Sequence, residues 1–226
     1  MATIAKAEST AEAEGDQLVA LEGVDWAGYV AMLRLRGGRG LPRITYLDGR
    51  MSLVSPSYRH ESLKKLLDYF IASTLAGLGL PFTPAGSTTF RRRRKRGGVE
   101  GDETYYIANH ARIQGKAAID LRTDPPPDLA VEVVVSHDTD DSIEVDRRLG
   151  VPEVWVGSPE EVLMLILGED GRYARAEASA AIPGVTPAEV REWLARPKDA
   201  GVAAWMDEVR RWAAEELAPR RRGPQD

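Results

Sequence analysis

The chain contains no cysteine, so disulfides, thiolate nucleophiles, cysteine-ligated zinc and cysteine-bound iron–sulfur clusters are excluded together. Histidine is scarce as well. His60, His110 and His137 are the only three, and they lie too far apart for a local H-E-x-x-H zinc motif. No G-x-S-x-G elbow and no phosphate-binding G-x-x-x-x-G-K-[ST] loop is present. A clean apolar run is also missing. An uncharged stretch, Ile71 to Phe90, is 20 residues long but holds Pro81, Pro84, three glycines and six Ser/Thr. It reads as a helix end, a turn and a strand, not as a membrane span. The N-terminus is Ala/Glu-rich and lacks an apolar targeting core. A cytoplasmic protein without a membrane partner is the expectation.

What is present is an ordinary globular composition: 226 residues, 43% hydrophobic and 29% charged, with a net charge of −5. That length can bury one sizeable core. The charge is unevenly spread. Residues 91 to 96 read RRRRKR, and without those six cations a net −5 becomes −11. The expected layout is a disordered tail over residues 1–18, one domain over 19–217 with a helical part from 187, and a frayed end over 218–226.

Hydrophobic periodicity supplies the elements. Asp48-Gly49 between Arg43–Asp48 and Arg50–Val54 predicts a β-hairpin, because glycine accepts the positive φ of a tight turn. Ser55-Pro56 reads as a helix start. Leu63, Leu66, Leu67, Phe70, Ile71 and Leu75 then repeat at helical spacing. Strands are expected at Phe82–Phe90, Gly98–Ile107, Asp128–Ser136, Pro152–Val156 and Val162–Leu167, with a polar helix over Asp138–Leu149. Pro187–Leu217 reads as two helices broken near Pro197. The sum is a mixed α/β fold with helices packed around one central sheet, an N-terminal hairpin and C-terminal helices.

Chemistry concentrates in two of these strands. Along Leu129 to Val135 one face is uniformly apolar, while the other carries Asp128 and Glu132. A carboxylate on an otherwise buried strand needs a cation or a proton. In Gly98–Ile107, Glu100 and Asp102 sit two apart and are expected on one strand face. Asp102 and Glu132 on neighbouring strands could face one hard cation such as Mg²⁺. Asp128 and Glu132 are separated by about 13 Å along a straight strand, which ranks Asp128 and Glu100 second.

The strings DGRMSLVSPSYRHE, AGSTTF, GVEGDETYYI, PPPDLAVEV and LGVPEVWV, in this order, resemble the Uma-type restriction endonuclease family of the PD-(D/E)XK nuclease superfamily. The resemblance runs from about Trp26 to Trp212. It implies a restriction-endonuclease-like core and Mg²⁺- or Mn²⁺-dependent hydrolysis of DNA. The family's E-P-D motif falls on Glu100-Gly101-Asp102, its P-D-L-x-x-E on Pro127 to Glu132, and its helix histidine on His60. The implied catalytic set is Asp102, Glu132, Asp128 and His60. The implied metal set is Asp102, Glu132, Asp128 and Glu100.

The sequence departs from the family at one function. The superfamily lysine position holds Val134, and the alternative helix position, eight before Gly150, holds Ser142. Lys116, Arg147 and Arg148 are the candidate substitutes. The alternative reading is therefore a degenerate nuclease fold that binds nucleic acid or protein without cutting. Arg91, Arg92, Arg93, Arg94, Lys95 and Arg96 are the candidate DNA contacts, drawn as a hairpin tip that presents about three cations to a phosphate backbone. A homodimer stays open.

Overall fold

A computed structural model describes residues 15–136 and 139–221. The expectations placed on residues 1–14, on His137 and on residues 222–226 lie outside the described residues. In chain order the elements are β1 (Gln17–Leu21), α1 (Trp26–Arg36), β2 (Arg43–Leu47), β3 (Arg50–Ser55), α2 (Tyr58–Gly77), β4 (Thr83–Pro84), β5 (Phe90–Arg92), a 3-10 turn (Arg93–Lys95), β6 (Gly97–Val99), β7 (Glu103–Tyr106) and α3 (His110–Ile113). They continue with β8 (Leu129–Val133), α4 (Asp140–Leu149), β9 (Glu153–Gly157), β10 (Val162–Leu167), β11 (Tyr173–Arg175), α5 (Pro187–Ala195), α6 (Val202–Trp212), a π-helical turn (Ala213–Leu217) and α7 (Ala218–Arg221).

The fold is mixed α/β, but its strands form two sheets where one central sheet was expected. The first has the order β1-β3-β2-β6-β5, and the second β11-β10-β9-β8-β7-β4. Among the described residues only β8 and β9 pair in parallel, and α4 provides the crossover between them. Helix α2 buries Leu67, Phe70, Ile71 and Leu75 against Leu129, Val131 and Val133 of β8, with α5 and α6 closing this layer. The other face of β8 carries Ala130 and packs with Val154, Val145 and Leu149. Helix α4 therefore lies between the sheets. Helix α1 covers the outer face of the first sheet, where Tyr29 stacks on Tyr46 at 4.9 Å.

Several boundaries differ from the sequence reading, each for a local reason. Helix α2 begins after Ser57, whose hydroxyl accepts from the His60 amide, so the start lies two residues beyond Ser55-Pro56. The stretch Phe82–Phe90 splits into β4 and β5 on different sheets, with Gly86 turning at φ 55° between them. Gly98–Ile107 splits likewise. Residues 100–102 cross from β6 in the first sheet to β7 in the second, so Glu100 and Asp102 do not share a strand face. At the ends, Gln17 and Leu18 belong to β1 and not to a disordered tail, and Ala218–Arg221 is helical. Among the described residues no helix is long and apolar enough to cross a membrane.

Candidate active site

The crossing at residues 100–102 delivers Asp102 to the end of β8. Glu103 pairs with Val131 in the antiparallel register of β7 and β8. One step further along, Asp102 comes beside Glu132. Its Oδ2 accepts from the Val133 amide at 2.6 Å. Its Oδ1 pairs with the Arg43 guanidinium and lies 2.9 Å from His60 Nε2. Both acids are only 4% exposed.

Glu132 is in the opposite condition. Its Oε1 is buried without a hydrogen-bond partner. Gly101 leaves the room in front of it, since a Cβ there would stand 2.8 Å from that oxygen. Burial drives the Glu132 pKa well above the carboxylate range, helped by the nearby Asp146 charge and opposed by Arg43. Asp146, on α4, is a second buried acid with an unpartnered oxygen, Oδ2. Burial pushes its pKa up to about 8. The sequence reading passed over Asp146 because DDSIEVDRRL looks solvated. The usable signal was its spacing from Leu149, which puts it on the apolar side of α4.

His60 stands at the start of α2, 2% exposed. Its Nδ1 lies 2.9 Å from Asp16 Oδ2. Burial lowers its pKa, against the opposing pull of Asp16. Asp16 also accepts from the Ser57 amide at 2.7 Å, and its own amide donates to Ser136 Oγ at 2.8 Å. The chain just before β1 is thereby fastened across the helix start and the loop after β8. His60 touches Asp102 and thus orients a carboxylate.

Two of the expected acids are not brought to this centre. Asp128 accepts from the amides of Ile107 and Asn109 at 2.7 and 2.8 Å, and from Asn109 Nδ2 at 2.6 Å. Its carboxylate holds the turn after β7. Glu100 takes both guanidinium nitrogens of Arg36 and accepts from the Ile44 amide at 2.9 Å and from the Thr89 hydroxyl. It anchors α1 to the first sheet. The four-acid cluster read from the sequence is therefore reduced to Asp102 and Glu132. Among the described residues no three His, Asp or Glu side chains converge as a metal-holding group.

The candidate substitute cations are engaged elsewhere. Lys116 pairs with Asp124, Arg147 with Glu144, and Arg148 with Asp48 and Glu144. The cation on the acid pair is Arg43 from β2, and Lys64 from α2 stands one ion pair further out; each is 7% exposed. Arg43 binds Asp102 and Glu61, and Lys64 lies 2.8 Å from Glu61. Neither was singled out in the sequence, because Arg43 opens a hairpin strand and Lys64 interrupts an apolar stripe. Ser142 sits one turn before Asp146, its Oγ 3.2 Å from Thr45 Oγ1.

The family model described as "Uma2: Putative restriction endonuclease" matches residues 29–196. The chain belongs to this family. The matched span contains Arg43, His60, Asp102, Glu132 and Asp146. A solved structure from Anabaena variabilis, described as "a putative nuclease belonging to DUF820", is similar with a TM-score of 0.48 and 11% identity, covering 68% of this chain and 92% of its own. No curated protein matches the chain.

A Uma2 nuclease implies a divalent cation, and the donors can be tested for fit. Glu132 offers a buried oxygen with no other partner, the glycine at 101 leaves space before it, and Asp102 adds a second carboxylate. Oxygen donors suit Mg²⁺ or Mn²⁺. Two carboxylates suffice for Mg²⁺, which keeps several waters. The donor set fits.

The basic run also has a structure of its own. It ends β5 with Arg91 and Arg92 and continues as the 3-10 turn Arg93–Lys95, with Arg96 at φ 49° before β6. Arg92 donates to the Leu121 carbonyl, and Arg96 pairs with Asp48 at 3.2 Å. Arg91, Arg93, Arg94 and Lys95 have no side-chain partner among the described residues. Four cations thus face outward together, in place of the alternation expected of a hairpin tip.

Proposed function

We propose that this Uma2 family member is an endonuclease that hydrolyses DNA phosphodiester bonds with Mg²⁺ or Mn²⁺ held by Asp102 and Glu132. The observation that carries this reading is the unpartnered, buried Glu132 oxygen beside the Asp102 carboxylate. When bound there, the cation supplies Lewis-acid polarisation of a phosphoryl oxygen and acidifies a water.

The chain's own residues do the rest. The Val133 amide and His60 fix the Asp102 carboxylate in one orientation. Held at 2.9 Å from both Asp16 and Asp102, His60 acts by positioning the Asp102 carboxylate. Arg43 stands on Asp102 and provides the positive charge that Val134 and Ser142 do not. From there it can stabilise charge developing on the phosphorane. Arg91, Arg93, Arg94 and Lys95 hold the DNA backbone by charge alone, which carries no sequence information.

One observation favours a second reading, a binding module that does not cut: Arg43 already compensates Asp102. Nicking of supercoiled plasmid in Mn²⁺ decides between them. Slow nicking that EDTA and Glu132→Gln abolish supports the nuclease. No nicking by the parent at any divalent concentration, with DNA binding intact, supports the module.

A further inference from the structure

A second concave region lies away from the acid pair. It is a groove of about 1330 Å³ between α1, the 3-10 turn of the basic run and residues 119–122. Ligand pockets for compact small molecules measure roughly 300–1,000 Å³, so this groove suits a chain better. Its floor is apolar, made by Trp26, Val30, Leu33, Phe90, Ile119 and Leu121. Its rim carries Arg34, Arg91, Arg93, Arg94 and Lys95. None of these five has a side-chain hydrogen bond or ion pair among the described residues. Two other rim cations are already neutralised, Arg36 by Glu100 and Arg122 by Asp120.

Such a groove asks for an occupant with regularly spaced negative charge on one side and flat apolar faces on the other. Duplex DNA meets the first demand but keeps its base faces stacked inside. An unpaired strand meets both, because each base has a face to lay on an aromatic or aliphatic floor while its phosphate stays at the rim. The sequence offered no aromatic residue within the basic run. The fold supplies one, since α1 carries Trp26 to the same groove from 65 positions before Arg91.

We infer that this groove binds single-stranded nucleic acid, bases on the Trp26–Leu33–Ile119 floor and phosphates on the Arg91, Arg93 and Arg94 rim. The inference deepens the nuclease reading, since it names the strand state of the substrate. Arg36 links the two places. It lines the groove and grips Glu100, which stands only about 7 Å of extended chain before Asp102. A strand leaving the groove would pass toward the acid pair.

Fluorescence anisotropy in EDTA tests this without any cutting. The probes are labelled dT20, an abasic strand of equal length, and a duplex of equal length. The expected result is dT20 binding at least about ten-fold tighter than the abasic strand, from base contacts with the floor. Ile119→Glu and Leu33→Glu, each checked for folding by circular dichroism, should remove most of that advantage. Equal affinity for dT20 and the abasic strand, or tightest binding to the duplex, overturns the inference. So would an acidic peptide that displaces dT20 at equal charge concentration. Because no metal is present, these failures would leave plasmid nicking by Asp102 and Glu132 unaffected and separately measurable.

Discussion

Asp102 and Val133 are joined by a hydrogen bond of 2.6 Å, side-chain oxygen to backbone amide. This bond seats the first acid of the centre against the residue that follows the second. It also closes the end of the β7–β8 ladder, where the chain arrives from the other sheet. The Asp102–Glu132 relationship is therefore built into strand pairing and does not depend on flexible loops.

Ser142 lies on the face of α4 that looks toward Thr45 and Asp146. A lysine there would reach along the same face toward two buried carboxyls. Ser142→Lys should increase nicking, because a nearby ammonium stabilises hydroxide and developing phosphorane charge. The gain should be largest near neutral pH. Unchanged cleavage in a folded variant would mean that Arg43 or Lys64 already fills the role.

Asp146 predicts a pH dependence of stability. Its folded pKa, about 8, lies above the ordinary 3.8, so the folded state holds its proton where the unfolded chain has lost it. The destabilisation it causes is absent below the ordinary value, grows as pH rises, and is complete above the folded value. His60, with a lowered pKa, works in the opposite sense around neutrality. That contribution is common to parent and variant. In EDTA, the stability advantage of Asp146→Asn over the parent should widen between about pH 5 and about pH 8, measured by urea unfolding. A constant difference would place the Asp146 carboxyl in water.

The outward cations predict a salt effect. Each phosphate neutralised contributes about −0.7 to the slope of log K against log salt on a single strand. Replacing Arg91, Arg93, Arg94 and Lys95 by Ser, while keeping Arg92 and Arg96 in their structural bonds, should flatten the slope by roughly 3 units. The fold should survive, since these side chains are exposed. An unchanged slope would make the turn a solvated loop.

Gly98 is where α1 meets the first sheet. A Cβ at this position would stand 2.7 Å from Tyr29 Cζ, and Tyr29 is fully buried. Gly98→Ala should destabilise the protein by about 1–3 kcal/mol. Thermal unfolding reads this directly, and an unshifted midpoint would show that α1 can slide on the sheet.

Much of this was legible in the sequence where a residue's role is local. Asp48-Gly49 marked the hairpin, the stripe from Leu63 to Leu75 marked α2, and Glu132 stood out against the apolar β8. The split of Gly98–Ile107 was not legible, because no proline between Val99 and the Thr104–Ile107 run marks where one strand ends and the next begins. Only pairing partners on two sheets divide them. Asp128 and Glu100 were read as ligands because their type and spacing suited it. Their capture by backbone amides and by Arg36 depends on contacts 19 to 64 positions away. Arg43 and Asp146 were missed for the converse reason. Arg43 opens a hairpin strand while its partners Asp102 and Glu61 lie outside that hairpin, and Asp146 sits on a helix that looks solvated until it is laid between two sheets.

The most direct test of the central claim is a crystal of the parent soaked in Mn²⁺ and measured at the manganese edge. The account predicts an anomalous peak between the carboxylates of Asp102 and Glu132, with Glu132 Oε1 among its ligands. A fully soaked crystal with no peak there, Arg43 still on Asp102 and Glu132 unchanged, would contradict it.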